Sequence, residues 1–161
     1  MSLNLFKLDG RIALVTGSGQ GIGLAIAEGL AAAGAHVVLN GRDAGKLEKA
    51  RSAIAATGHK ASVAAFDVTD QKAVEVGVAK IEAEVGPIDI LINNAGTQVR
   101  GAFVDFPAED WHFLMATNLH SVFYVTQAVA KRMAPRNRGK IVNIGSVMSK
   151  LGRPTIVPYT A

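Results

Sequence analysis

The sequence of 161 residues contains no cysteine. Disulfide bonds, thiolate nucleophiles and cysteine metal sites are therefore excluded. The four histidines lack the close spacing of metal ligands, so we expect no bound metal. No uninterrupted run of about 18 apolar residues occurs, so we also expect no membrane span. The first ten residues lack the apolar core of a secretory signal, which favours a cytoplasmic protein.

Charged residues are scarce at 19%, whereas hydrophobic residues reach 49%. This balance is typical of a folded chain rather than a disordered one. We interpret residues 1–161 as a single domain. The net charge is +4, and the basic residues concentrate in segment 131–140, near the end of a predicted helix, where cations are favourable. Aromatic residues that could stack on bases are not interleaved there, so we expect no nucleic-acid partner.

Short apolar runs alternate with longer segments of helical periodicity. The predicted strands are 12–16, 36–39, 61–66, 88–92 and 140–144, and the predicted helices are 22–33, 43–57, 70–85 and 108–133. This alternation, with almost continuously apolar strands, predicts an α/β fold with a doubly wound parallel sheet of Rossmann type. Asp43 and Thr69 are predicted to cap the second and third helices. Pro107 is predicted to occupy the first position of the fourth helix.

A glycine-rich turn joins the first predicted strand to the first predicted helix. Its glycines have the spacing G-x-x-x-G-x-G, which allows a tight turn and a close approach of the backbone to a pyrophosphate. The amide groups at the start of the following helix would face the phosphates. We therefore predict a dinucleotide site here. Its predicted contacts are Gly17, Ser18, Gln20, Gly21, Ile22 and Gly23.

The end of the second predicted strand indicates which dinucleotide binds. Dinucleotide folds commonly have an acid here that binds the ribose hydroxyls, whereas arginine suits a 2′-phosphate. Gly41 has no carboxylate, and Arg42 can hold a phosphate through two hydrogen bonds. This predicts NADP as the cofactor, with NAD as the alternative if Arg42 is an ordinary loop charge.

Further motifs follow in a fixed order along the chain. Asp67 and Val68 follow the third predicted strand, and Asn93-Asn94-Ala95-Gly96 follows the fourth. Asn118 lies in the fourth predicted helix, and Tyr159 stands thirteen positions after Ser146. Together with the glycine turn, this ordered set resembles the short-chain dehydrogenase/reductase family. The resemblance covers the whole chain and implies an NAD(P)-dependent oxidoreductase.

The resemblance also implies roles for these residues. Asp67, Val68, Asn94, Ala95 and Gly96 would contact the cofactor. The catalytic residues would be Asn118, Ser146 and Tyr159. Tyr159 would act as the general acid or base, Ser146 would orient the substrate oxygen, and Asn118 would hold water in a proton relay.

In this family a lysine follows the tyrosine by four positions, whereas the sequence ends two residues after Tyr159. An ammonium about 4 Å from the phenolate contributes roughly 4 kcal/mol at an effective dielectric constant of about 20. We therefore expect a C-terminally truncated member that lacks the last strands of the family fold and has little activity of its own. The resemblance implies a homo-oligomer, either a dimer or a tetramer.

Within the family, segments 93–100 and 151–155 most resemble gluconate 5-dehydrogenase-like members. Arg100 and Arg153 are therefore candidate contacts for a sugar-acid carboxylate, with solvated loop charges as the alternative interpretation. A 3-oxoacyl-(acyl carrier protein) reductase shares the same motifs and is an alternative function. A nucleotide-binding fragment without turnover is a second alternative, from a different class.

Overall fold

The computed structural model describes residues 3–160. Five parallel strands form a sheet in the order β3-β2-β1-β4-β5, with β1 Ile12–Val15, β2 His36–Gly41, β3 Ala61–Ala65, β4 Ile90–Asn93 and β5 Lys140–Asn143. The helices are α1 Gly21–Ala32, α2 Ala44–Ala56, α3 Gln71–Glu84, α4 Ala108–Met115, α5 Ser121–Met133 and α6 Val157–Thr160. The strand order reverses between β1 and β4. Ligands of such sheets bind at this reversal, beyond the carboxyl ends of the strands.

Both faces of the sheet are covered by helices, as the apolar strands predict. Successive side chains of β1 point to opposite faces. Leu14 joins a buried cluster with residues of α3 and α5, whereas Ala13 and Val15 join a second cluster with residues of α1 and α2. The predicted doubly wound α/β fold is therefore confirmed.

The strand register aligns the ends of the three central strands. Val15 pairs with Leu39 of β2 and with Ile92 of β4. Consequently the residues that follow these strands meet at one edge of the sheet, where the predicted site residues are found.

The predicted helix 108–133 is divided into α4 and α5 by a π-helical turn, Ala116–His120. Asn118 lies in this turn and makes two hydrogen bonds to Thr97, in the loop after β4. Single π-helical turns are often found where a side chain serves a function. The sequence predicted one continuous helix because the Thr97 partner of Asn118 lies 21 positions away along the chain.

Two residues at predicted helix starts have a different position from the one predicted. Asp70, not Thr69, caps α3, because its carboxylate accepts a hydrogen bond from Ala73 N at 3.0 Å. Thr69 instead donates its hydroxyl hydrogen to Asp67 Oδ1. Pro107 is the N-cap residue of α4 and has an extended backbone, so it precedes the first helical residue.

The edge strand β5 remains open on one side within residues 3–160. Its apolar side chains are exposed to 38% at Ile141 and 45% at Val142. An open apolar edge is a template for association with another chain.

Within the described residues, no helix is both long and apolar enough to cross a lipid bilayer.

Candidate active site

The glycine-rich turn lies at the carboxyl end of β1. Gly17 and Gly21 have φ angles of +63° and +62°, which side-chain-bearing residues rarely adopt. A Cβ atom on Gly17 would lie 2.9 Å from Ala95 Cα, so glycine lets the turn contact the loop after β4. A Cβ on Gly21 would meet no atom within 4 Å. This open side of the turn is available to a ligand.

Helix α1 begins directly after the turn without a side-chain cap. Gln20 is the N-cap residue and makes no side-chain hydrogen bond to the helix. In residues 3–160, the amide groups of Ile22 and Gly23 donate to no protein acceptor. Free amides at the positive end of a helix dipole favour an anion. The arrangement is suited to the pyrophosphate of a dinucleotide.

Ser18, a predicted cofactor contact, is fully buried. Its hydroxyl donates to Val15 O at 2.7 Å and accepts from Asn40 N at 3.0 Å. Its own amide donates to Asn40 O at 2.9 Å. The hydroxyl and amide of Ser18 therefore tie the glycine turn to β2, and its contact with the cofactor stays a prediction.

A cleft of about 290 Å³ runs from the glycine turn across the ends of β2 and β3 to the loop after β4. Seven predicted cofactor contacts line it, namely Gly17, Gln20, Arg42, Asp67, Val68, Ala95 and Gly96. Lining residues that were not predicted include Asn40, Lys46, Leu47, Phe66 and Thr117. The lining does not include the three residues that follow Gln20, namely Gly21, Ile22 and Gly23. The structure thus gathers most of the predicted cofactor site into one cavity.

Hydrogen bonds fix the floor and one wall of this cleft. Asn40 Nδ2 donates to Ala64 O at 3.0 Å and to Phe66 O at 3.2 Å, which joins the ends of β2 and β3. Asp67 Oδ1 accepts from both the amide and the hydroxyl of Thr69. These bonds hold the apolar side chains of Phe66 and Val68 beside the cavity, where an aromatic base can pack.

Thr16, which was not predicted as a site residue, connects the two loops of the site. Its Oγ1 accepts hydrogen bonds from Asn94 N at 2.9 Å and Ala95 N at 3.0 Å. In return, Asn94 Nδ2 donates to Thr16 O at 2.9 Å. The Asn94 side chain therefore positions the loop. A hydroxyl residue between a buried strand and the first glycine was the only sequence signal for this role.

Asn118 connects the π-helical turn to the same loop. Asn118 Oδ1 accepts from Thr97 N, and Asn118 Nδ2 donates to Thr97 O. The side chain is half-buried and engaged at both polar atoms. The structure thus assigns it to holding the loop, and its part in a proton relay stays a prediction.

Ser146 and Tyr159 lie on neighbouring turns. Ser146 Oγ accepts from Met148 N at 3.2 Å, and within the described residues its hydroxyl hydrogen reaches no acceptor. Tyr159 is half-buried in α6, which packs against α4 and against the short turn Val147–Ser149 that follows Ser146. No hydrogen bond joins the two hydroxyls in this part of the chain. Ser146 can therefore donate, and Tyr159 can donate or accept, towards a bound molecule.

The two candidate substrate arginines are carried by loops that contact each other. Gly101 N donates to Thr155 O at 3.0 Å, which joins the loop of Arg100 to the loop of Arg153. Both side chains are exposed and neither forms a salt bridge with a described residue. Arg100 and Arg153 remain candidates for binding the substrate carboxylate. No described contact fixes the position of either side chain relative to Tyr159.

Known proteins are similar to this chain over almost all of its length. A gluconate 5-dehydrogenase of Gluconobacter oxydans is 61% identical over 158 residues, which are 98% of this chain and 62% of that protein. A 5-keto-D-gluconate 5-reductase of Escherichia coli is 44% identical over 158 residues, which are again 98% of this chain and 62% of that protein. The chain thus spans about 62% of the length of these curated relatives.

Solved structures share the fold as well. A gluconate 5-dehydrogenase from Burkholderia cenocepacia, in complex with NADP and tartrate, superposes with a TM-score of 0.95 at 50% identity. That match covers 99% of this chain and 63% of the other chain. The family model of the short chain dehydrogenases matches residues 11–161. This chain belongs to the short-chain dehydrogenase family.

Proposed function

We propose that this chain forms the cofactor half and part of the catalytic centre of an NADP(H)-dependent oxidoreductase. Its substrate would be a sugar acid of the gluconate and 5-ketogluconate type. The observation that carries the proposal is the cleft itself. It runs from the glycine turn, next to the uncapped start of α1, past Arg42 to the loop that Asn118 holds. Arg42 forms no salt bridge with a described residue.

Residues in and beside the cleft fit NADP(H) in three places. The open side of Gly21 and the free amides of α1 suit the pyrophosphate. Phe66 and Val68 offer an apolar surface for the adenine. Arg42 follows Gly41, which has no carboxylate that would repel a 2′-phosphate. The Burkholderia relative with NADP bound supports the same choice of cofactor.

When bound, NADP(H) supplies or accepts the hydride. Tyr159 would give a proton to the substrate oxygen during reduction and take it back during oxidation. Ser146 would donate its free hydroxyl hydrogen to the same oxygen and so orient the carbon that reacts. Arg100 and Arg153 would bind the carboxylate at the far end of the substrate. The names of the two similar gluconate enzymes support this substrate class.

The test uses a chimera in which the C-terminal part of the Gluconobacter relative follows residue 161. We expect the chimera to reduce 5-ketogluconate with NADPH. The loss of NADPH absorbance measures this reaction. Faster turnover of a 3-oxoacyl thioester than of 5-ketogluconate would replace the proposal with the acyl-reductase alternative. Binding of NADPH without turnover of either substrate would leave only the nucleotide-binding alternative.

A further inference from the structure

Two cations line the cleft near the end of β2, and only one of them was predicted. Arg42 follows β2, and Lys46 lies in the first turn of α2. Most other arginines of residues 3–160 are paired: Arg11, Arg51, Arg132, Arg136 and Arg138 all form salt bridges. Neither Arg42 nor Lys46 forms one with a described residue. Two cations without a salt-bridge partner among the described residues thus lie at the same wall of a cleft whose lining also includes Asp43 and Asp67.

The backbone of Lys46 is fixed at this wall. Asp43 caps α2 by accepting a hydrogen bond from Lys46 N at 3.0 Å. The next residue, Leu47, is buried and anchors the turn in the core. Lys46 Cβ lies 3.6 Å from where a Cβ on Gly19 would stand, so the lysine stem starts beside the glycine turn. The ammonium group therefore extends from a rigid base at the rim of the cleft.

The carboxylates near this wall accept hydrogen bonds from groups other than the two cations. Asp43 uses Oδ1 for the cap of α2 and makes no salt bridge with Lys46 or Arg42 among the described residues. Asp67 follows the neighbouring strand β3, and its Oδ1 accepts two hydrogen bonds from Thr69. A dianion placed between Arg42 and Lys46 would satisfy both cations, whereas an uncharged ribose hydroxyl would satisfy neither.

We infer that Lys46 is a second specificity residue of the cofactor site and binds the 2′-phosphate together with Arg42. The inference rests on the proposed NADP(H) function and assigns a role to a side chain outside the glycine turn and the end of β2. Arg42 supplies a planar group that can form two hydrogen bonds, and Lys46 supplies a point charge on a flexible stem. Discrimination between the two cofactors would therefore depend on two separate cations.

Binding of fragments tests the inference without turnover. The 161-residue chain is titrated in a calorimeter with adenosine 2′,5′-bisphosphate and with 5′-AMP. Lys46→Met should weaken the bisphosphate about 10- to 100-fold, the scale of one lost charged hydrogen bond, and change 5′-AMP less than about twofold. Lys46→Arg should keep most of the preference. Lys49→Met, one turn further along α2 and outside the cleft lining, is the matched control and should behave like the unchanged chain.

The outcomes separate the inference from the proposal beneath it. If the unchanged chain binds both fragments equally, the NADP(H) proposal itself fails. If the chain prefers the bisphosphate and Arg42→Ala removes that preference while Lys46→Met does not, only the role of Lys46 is overturned. Equal weakening of both fragments by Lys46→Met would also overturn it. A thermal unfolding curve for each variant identifies any that fails to fold. If Lys46→Met does not fold, Lys46→Gln takes its place in the titration.

Discussion

Asn118 holds Thr97 through both polar atoms of its side chain, at 2.8 Å to Thr97 N and 2.9 Å to Thr97 O. The π-helical turn carries Asn118, and Thr97 directly follows the Asn94-Ala95-Gly96 segment that borders the cleft. The pair therefore fixes the distance between the helix α4–α5 region and the cofactor loop. It connects the cofactor half of the site to the side that carries α6.

We expect Asn118→Ala to lower the free energy of unfolding by about 1–3 kcal/mol, because two partly buried backbone groups lose their partner. Asn118→Asp should be similarly unfavourable, since a carboxylate accepts from Thr97 N but faces Thr97 O without a hydrogen to donate. Urea unfolding measures both changes. Thr117→Val removes only a local hydrogen bond to Phe113 O and should cost less than about 0.5 kcal/mol. Equal losses for Thr117→Val and Asn118→Ala would contradict the expectation.

Arg42→Ala should weaken NADPH by about 1.5–3 kcal/mol, the scale of a charged hydrogen bond. NADH, which has no 2′-phosphate, should be almost unaffected. Quenching of protein fluorescence or calorimetric titration gives both dissociation constants. Parallel losses for NADPH and NADH would show that Arg42 does not contact the 2′-phosphate.

Tyr159→Phe should reduce turnover at least about 100-fold in the chimera described above, because proton transfer loses its acid and base. The unfolding temperature should change little, since the Tyr159 hydroxyl makes no hydrogen bond within residues 3–160. Robust turnover by the Tyr159→Phe chimera would refute the assigned mechanism.

The open edge of β5 should make the 161-residue chain self-associate at micromolar concentration. Val142→Lys, which places a charge on this edge, should shift light scattering towards the monomer. Val76→Lys introduces the same charge at a valine of α3 that is 68% exposed, and it should leave the assembly unchanged. A monomeric unchanged chain that unfolds in one cooperative step would contradict this prediction.

Stability should fall in acid through Glu82. Burial opposes the charge of this carboxylate most strongly, but hydrogen bonds from Arg136 and Ile88 N, with the nearby charges of Arg136 and Arg132, outweigh burial and lower its pKa. Because the folded pKa lies below the unfolded one, the carboxylate stabilises the fold fully above about pH 4.5. That contribution is lost as the pH falls through the folded value. Glu82→Gln should lower stability at pH 7 and flatten this acid dependence, whereas Glu75→Gln, on the exposed face of α3, should not.

Much of the fold followed from the pattern of apolar residues alone. The strands β1 to β5 appear within two residues of their predicted bounds, because buried parallel strands need continuous apolar runs. The π-helical turn could not be predicted, since the Thr97 partner of Asn118 lies 21 positions away in sequence. The hydrogen bonds of Ser18 to Val15 and Asn40 could not be predicted either, because the motif does not reveal which of its residues bind other parts of the protein.

Lys46 shows a third limit of sequence reasoning. It lies outside every motif, and only the packing of α2 on the glycine turn brings it to the cleft. Residues of this kind depend on how two elements pack, and their spacing along the chain carries no signal.

The Thr16 hydroxyl gives the site a mechanical property. Because it holds the amides of Asn94 and Ala95 beside the glycine turn, we expect the two loops to move together. A ligand that occupies only the adenosine half of the cleft therefore finds the opposite loop already in place. The conformational entropy of ordering that loop is incurred during folding rather than binding. A ligand bound in one half of the cleft should consequently raise the affinity of the other half for a second ligand very little. The site is preorganised.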